Sequence, residues 1–190
     1  MRLLILAAAV ALSGCVEGRP PVLRNSASCA FAEDQKLANA RLSIGDVDQS
    51  IDNPNSVASL PSRGCHAAAA EAGQDYLARR SDVTERWRTS LLFHVARNLA
   101  LAGRADESAV AALGAVRDQG GSDAAFDWNA YVVGTWAFLK RDRALLDASL
   151  ARLRSLRGHA NATNATVIAG LARCFTKSYS QAATPACQTP

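Results

Sequence analysis

From Cys65 onward, apolar side chains recur at three- and four-residue spacing through one segment after another, and no run alternates in the period-two manner of a strand. A chain patterned this way can bury its apolar stripes only by packing helix on helix. The clearest stripe is Val83, Trp87, Leu91, Val95, Leu99 and Ala102, introduced by Asp82 and Glu85 as a capping box and stopped by Gly103. Before it, alanine-rich Cys65 to Arg79 reads as a helix. After it come helices from Asp106 to Arg117, closed by Gly120-Gly121, and from Asp123 to Lys140, with Trp128, Val132, Trp136 and Leu139 on one face. Past the Arg141-Asp142 turn, Leu146, Leu150 and Leu153 mark another helix, and Ile168, Leu171, Phe175 and Tyr179 mark a last one, which starts after Thr163 or Asn164. Upstream, a short helix spans Cys29 to Arg41, followed by a loop punctuated by Gly45, Asn53-Pro54-Asn55, Pro61 and Gly64.

Leu99-x-Leu101 precedes the Gly103 turn as Ala137-x-Leu139 precedes Arg141-Asp142, a repeat of 38 residues. A helix pair with short connections at a period near the roughly 34 residues of tetratricopeptide repeats implies an all-α fold of antiparallel pairs stacked as a short α-solenoid. The stretch from Ala96 to Ala109 resembles the middle of such a repeat, with small residues for close approach, Gly103 for the turn and Ala109 packing back. The second unit departs from the pattern, because Arg141 stands where the turn glycine belongs.

The N-terminus carries an address. Met1-Arg2 is a minimal basic region, Leu3 to Leu12 is an apolar run, and Leu12-Ser13-Gly14-Cys15 follows directly. This resembles the bacterial lipoprotein signal and its lipobox. The resemblance implies cleavage before Cys15, a diacylglycerol on its thiol, and acyl chains enough to anchor the protein stably to a membrane. Because Val16 and not Asp follows Cys15, the resemblance further implies the outer membrane, facing the periplasm. The chain then divides into a signal peptide over 1–14, a lipidated tether over 15–28, a short helix and loop over 29–64, and a helical-repeat domain over 65–190. Tyr76-Leu77-Ala78-Arg79, Trp128-Asn129-Ala130-Tyr131 and Gly170 to Phe175 extend a likeness to tetratricopeptide-like lipoproteins of proteobacteria. That likeness implies fold and address, and carries no activity.

With Cys15 lipidated, Cys29, Cys65, Cys174 and Cys187 remain, an even set suited to an oxidising compartment. They allow three connectivities. Cys29–Cys65 with Cys174–Cys187 is preferred, because each bridge closes over a segment rich in helix breakers and leaves the helical middle unconstrained. Zinc is disfavoured, since no CxxC pair occurs and His66, His94 and His159 are scattered.

The net charge of +4 is dispersed, with arginines alternating with acids, and excludes a nucleic-acid footprint. Asp46, Asp48, Ser50 and Asp52 alternate like the start of a calcium loop, but Ile51 occupies the glycine position and Val57 that of the bidentate Glu, which leaves a polar turn. Asn161-Ala-Thr163 and Asn164-Ala-Thr166 read as helix N-caps. His94, with Arg97 and Asn98 one turn on, is placed for a polar cluster in a groove, against the commoner reading of a structural histidine. No nucleophile or cofactor motif accompanies it, so neither a catalytic residue nor a cofactor is expected. Among the aromatics, Trp87 and Trp136 are expected in the core, whereas Asn98, Asn129 and Tyr131 are the candidate partner-binding residues on an exposed face. The resulting expectation is a lipid-anchored envelope module that engages a protein or peptide through its helical surface. The alternatives are a small envelope hydrolase, or a structural lipoprotein contacting the cell wall.

Overall fold

The computed structural model describes residues 29–118 and 126–189. Cys15, the tether over 16–28 and the Gly120-Gly121 pair lie outside the described residues. Within them the chain forms α1 (Glu33–Asn39), α2 (Ile44–Asp48), a 3-10 turn (Leu60–Arg63), α3 (His66–Arg79), α4 (Glu85–Leu101), α5 (Ala105–Gly114), α6 (Trp128–Leu139), α7 (Arg143–Ser155), α8 (His159–Arg173), α9 (Tyr179–Ala182) and α10 (Pro185–Gln188). Among the described residues there is no strand, and each helix from α3 to α8 packs on the next. The protein is an all-α stack of neighbouring helix pairs.

Two apolar cores share α4. Leu91, Val95 and Leu99 face Tyr76, the α3 alanines, Val47, Val57 and Leu60, while Phe93 and Ala100 join α6, α7, α8 and Tyr179. Close approach in the first core depends on Gly73, where a Cβ would stand 2.5 Å from Val95 Cγ2. Residues 29–64 belong to the same core as α3 and α4, so they do not stand apart from the helical stack. Disulfides join Cys29 to Cys65 and Cys174 to Cys187. The first ties the N-terminal segment to the start of α3, and the second folds α9 and α10 back onto α8.

The 38-residue repeat closes both of its turns by the same hydrogen bonds. At the first, Gly103 takes φ +80° and the Arg104 amide donates to Leu99 O at 2.8 Å. One repeat later Arg141 takes φ +60° and the Asp142 amide donates to Ala137 O, again at 2.8 Å. Arginine therefore adopts the left-handed geometry that glycine adopts freely. Its side chain offsets the strain: the guanidinium lies over Phe138 at 5.0 Å and donates to the carbonyls of Phe175 and Lys177, the latter at 2.8 Å. A residue that looked like a defect in the repeat is the tie that holds the C-terminal segment.

Several helix ends differ from the sequence reading. Asp82 does not cap α4; Thr84 occupies the N-cap position, and Asp82 forms a two-pronged pair with Arg80, both contacts at 2.7 Å. Arg80 also donates to Ala40 O and Leu42 O, which binds the α1–α2 connection to the end of α3. α5 stops at Gly114, short of Arg117. α6 starts at Trp128, capped by Asp127, whose carboxylate accepts from the Ala130 amide. α8 begins at His159, before either expected cap, because Gly158 at φ +129° makes the turn. Asn161 is consequently inside the helix, where its buried Oδ1 accepts from the Asp127 amide at 2.8 Å.

Two outcomes follow from these turns. Arg141→Ala is expected to lower stability in urea unfolding more than Arg141→Gly by about 1 kcal/mol, since both lose the guanidinium contacts but only Ala keeps the left-handed strain. Equal losses would show that position 141 carries no backbone strain. The hydrogen bond from Arg80 holds the Asp82 carboxyl at about 2, below its ordinary 3.8. A lowered folded-state value stabilises the fold above the ordinary value, and the contribution is lost as pH falls from about 4 to about 2. Carbon-detected titration should therefore find Asp82 returning to its ordinary value in Arg80→Gln.

Candidate functional site

The α3–α4 pair presents a third arc of α4, turned away from both cores. At about 100° per residue, a four-residue step winds the stripe by about 40°. Trp87 is therefore rotated out of the line of Leu91, Val95 and Leu99 and falls on the arc of Ser90, His94, Arg97, Asn98 and Leu101. The expectation of a core Trp87 is corrected accordingly: it is 41% exposed. Trp136 is half-buried against the second core.

Opposite this arc stands the segment from α2 to the 3-10 turn. α2 is five residues long, capped by Ser43 Oγ, which accepts from the Asp46 amide. The loop after it is held by side chains. Asn39 Nδ2 donates to Asn55 O, Asn53 Nδ2 donates to Asn39 Oδ1, Ser56 Oγ donates to Ser50 O, and the Val57 amide donates to Val47 O. The breaker-rich stretch is thus an ordered wall. Of the residues resembling a calcium loop, Asp46 accepts from Ser43 Oγ and Ser50 Oγ accepts from the Asp52 amide, so these groups serve the turn. Among the described residues no group of three His, Cys, Asp or Glu is placed to hold a metal.

Between wall and helix lies a cleft of about 290 Å³, lined by Val57, Ala58, Pro61 and Leu101 on its apolar side and by Asp48, Gln49, His94, Arg97 and Asn98 on its polar side. The sequence-derived cluster of His94, Arg97 and Asn98 is brought together here. Sequence reasoning missed its partner Asp48, whose side chain is wholly buried at the end of α2 and whose Oδ1 meets His94 Nδ1 at 2.6 Å. Carboxylate pairing at Nδ1 leaves Nε2 as the ring's remaining polar atom. The His94 side chain is 33% exposed. Behind it, Asn98 Nδ2 donates to His94 O and Asn98 Oδ1 lies 3.2 Å from His66 Nδ1, which braces the helix at that turn.

Arg97 is an exposed residue whose guanidinium reaches back to the buried Tyr131 and Tyr179. Desolvation there disfavours its charge, but the phenols and a hydrogen bond to Tyr179 outweigh it and raise its pKa above the ordinary value. Another cavity of about 370 Å³ lies further towards the start of α4, lined by Gln49, Arg86, Trp87 and Ser90. Gln49 borders both. Among the described residues, the ion pairs involve neither Arg86, Arg97 nor Arg117.

Two of the candidate partner-binding residues lie elsewhere. Tyr131 is buried, edge-on to Phe93 at 4.9 Å, and burial pushes its phenol up. Asn129 clasps the backbone of Arg117, accepting from its amide at 3.0 Å and donating to its carbonyl at 2.9 Å. Tyr131 corrects the expectation of an exposed face, since its ring is turned into the second core, whereas Asn129 is half-buried with its amide taken up by the Arg117 backbone. Asn98 lines the cleft but is itself largely buried.

No family model, curated protein or solved structure matches the chain. The class it belongs to is therefore the one its architecture defines, an all-α protein of stacked helix pairs.

Asp48→Asn keeps the shape and removes the charge from a buried hydrogen bond, so a loss of about 1.5–3 kcal/mol in urea unfolding is expected. Long-range nitrogen–proton spectra should show His94 protonated at Nδ1 in the parent and a mixed tautomer population in the variant. An unchanged tautomer would mean that Asp48 does not orient the ring.

Proposed function

We propose that this protein is a lipid-anchored envelope binding module, tethered through Cys15, whose α4 groove engages an extended peptide segment of a protein partner. The observation that carries this reading is that two cavities, one beside His94 and one beside Trp87, both border Gln49 and both lie on the same arc of α4. From Trp87 to Leu101 that arc runs about 21 Å, the span of about six residues of extended chain at about 3.3 Å each. An apolar floor with a few fixed polar groups is the composition of a recognition groove. Anchoring rests on the lipobox; among the described residues no helix is long and apolar enough to cross a membrane.

The His94–Asp48 pair favours a second reading, a hydrolase in which Nε2 draws a proton from water. Against it, the Ser90 hydroxyl on the same arc is taken up by Arg86 O and by Arg117, and the Asp48 carboxylate is already engaged by the ring. The aromatic and basic character of the groove favours binding.

A photo-crosslinking amino acid at Gln49, compared in cells with the same group at Val110, which is 74% exposed on α5 and away from the groove, tests the reading. One discrete adduct at position 49, absent at position 110 and lost with the membrane association in Cys15→Ser, is the expected outcome. Equal labelling at both positions refutes the groove; a Cys15→Ser variant that still fractionates with membranes refutes the anchor.

A further inference from the structure

We infer that the occupant of the α4 groove is acidic: an extended peptide with carboxylates set against Arg97 and Arg86 and an apolar or aromatic side chain laid on Trp87. This rests on the groove reading above and deepens it. The argument is one of charge complementarity. Arg79, Arg80, Arg104, Arg143 and Arg152 each face a carboxylate of the chain itself. Of the arginines without an ion pair among the described residues, Arg86 and Arg97 are two that line the groove. Arg117 adds a third cation beside Arg86: its guanidinium lies 4.1 Å from the Trp128 ring centroid and bonds to Thr89 Oγ1, Ser90 Oγ and Arg86 O. Desolvation first, and then the proximity of Arg86, lower its pKa, with Glu85 opposing the shift.

The groove's own carboxylate does not neutralise this field for a ligand. Asp48 is fully covered and its Oδ1 is directed into His94, so the groove is lined by an imidazole edge and the Arg97 and Arg86 side chains. Guanidinium matches carboxylate geometry in a two-pronged fork, and such contacts strengthen where water is partly excluded. At the far end, Trp87 offers a ring face that is 41% exposed, and Ile51 on the facing loop is 81% exposed. A ligand that satisfies both ends alternates acidic and apolar positions over about six residues, since successive side chains of an extended chain point to opposite sides. Shape requires the length, the guanidiniums require the charge, and the indole requires the apolar side chain.

The test uses the nitrogen-labelled mature chain and capped hexapeptides of alternating Glu and Leu, of Gln and Leu, and of Lys and Leu, with an oligogalacturonate of similar length as an acidic polymer that is not a peptide. The Glu-Leu peptide is expected to move the Trp87 indole and His94 ring signals and to bind roughly tenfold more tightly than the Gln-Leu peptide. That preference should weaken with added salt and disappear in Arg97→Gln. Because Arg97 also bonds Tyr179, the exposed first-turn variant Arg86→Gln provides a second reading of the same loss. Equal binding of the Gln-Leu peptide at Trp87 and His94 overturns the acidic requirement while the groove stands. Signals that move only elsewhere overturn the groove itself. Tighter binding of the oligogalacturonate, or no binding by any peptide, overturns the acidic peptide as occupant.

Discussion

The structure depends on α4 being buried on two sides at once. Leu91, Val95 and Leu99 close the core over α3 and the N-terminal segment, and Phe93 and Ala100 close the core over α6 to α9. A helix held on two arcs has no freedom to rotate, so its third arc is presented to solvent at a fixed angle. Trp87, His94 and Arg97 owe their common direction to this, and the groove is a by-product of packing before it is a site.

The wall opposite α4 is built by different means. Residues 49–56 have little apolar surface to bury, and the segment is held by amide side chains that satisfy the backbone, by Val57 and Leu60 in the first core, and by the Cys29–Cys65 bridge that closes over it. A disulfide over a loop of this length stabilises by about 3–4 kcal/mol, largely through the unfolded chain. Amide bonding within the loop and the Asp48–His94 hydrogen bond thus act together to set a single side-chain orientation.

The two repeat turns show how one backbone solution is reached from different residues. Gly103 adopts a positive φ without cost, while Arg141 adopts nearly the same geometry because its guanidinium is held by Phe138, Phe175 and Lys177. Consensus matching scores the second position as a departure. The hydrogen bonds score it as equivalent, and the residue that departs also anchors the segment closed by Cys174–Cys187.

What the sequence determined by itself was everything governed by local spacing: helices in series, the two turns 38 residues apart, and the nearness of His94, Arg97 and Asn98, which share one helix face at three- and four-residue steps; of the three cysteine pairings it allowed, it only favoured the one the structure shows. Only the tertiary structure decided which arc of α4 faces which neighbour, because a stripe of four-residue steps winds around the helix and the sequence does not mark where packing cuts it. That cut turned Trp87 outward, and the packing of α6 on Phe93 drew Tyr131 inward. It also brought Asp48 to His94 across 46 positions of chain, a contact with no local signal, since neither residue's neighbours predict the path of the loop between them.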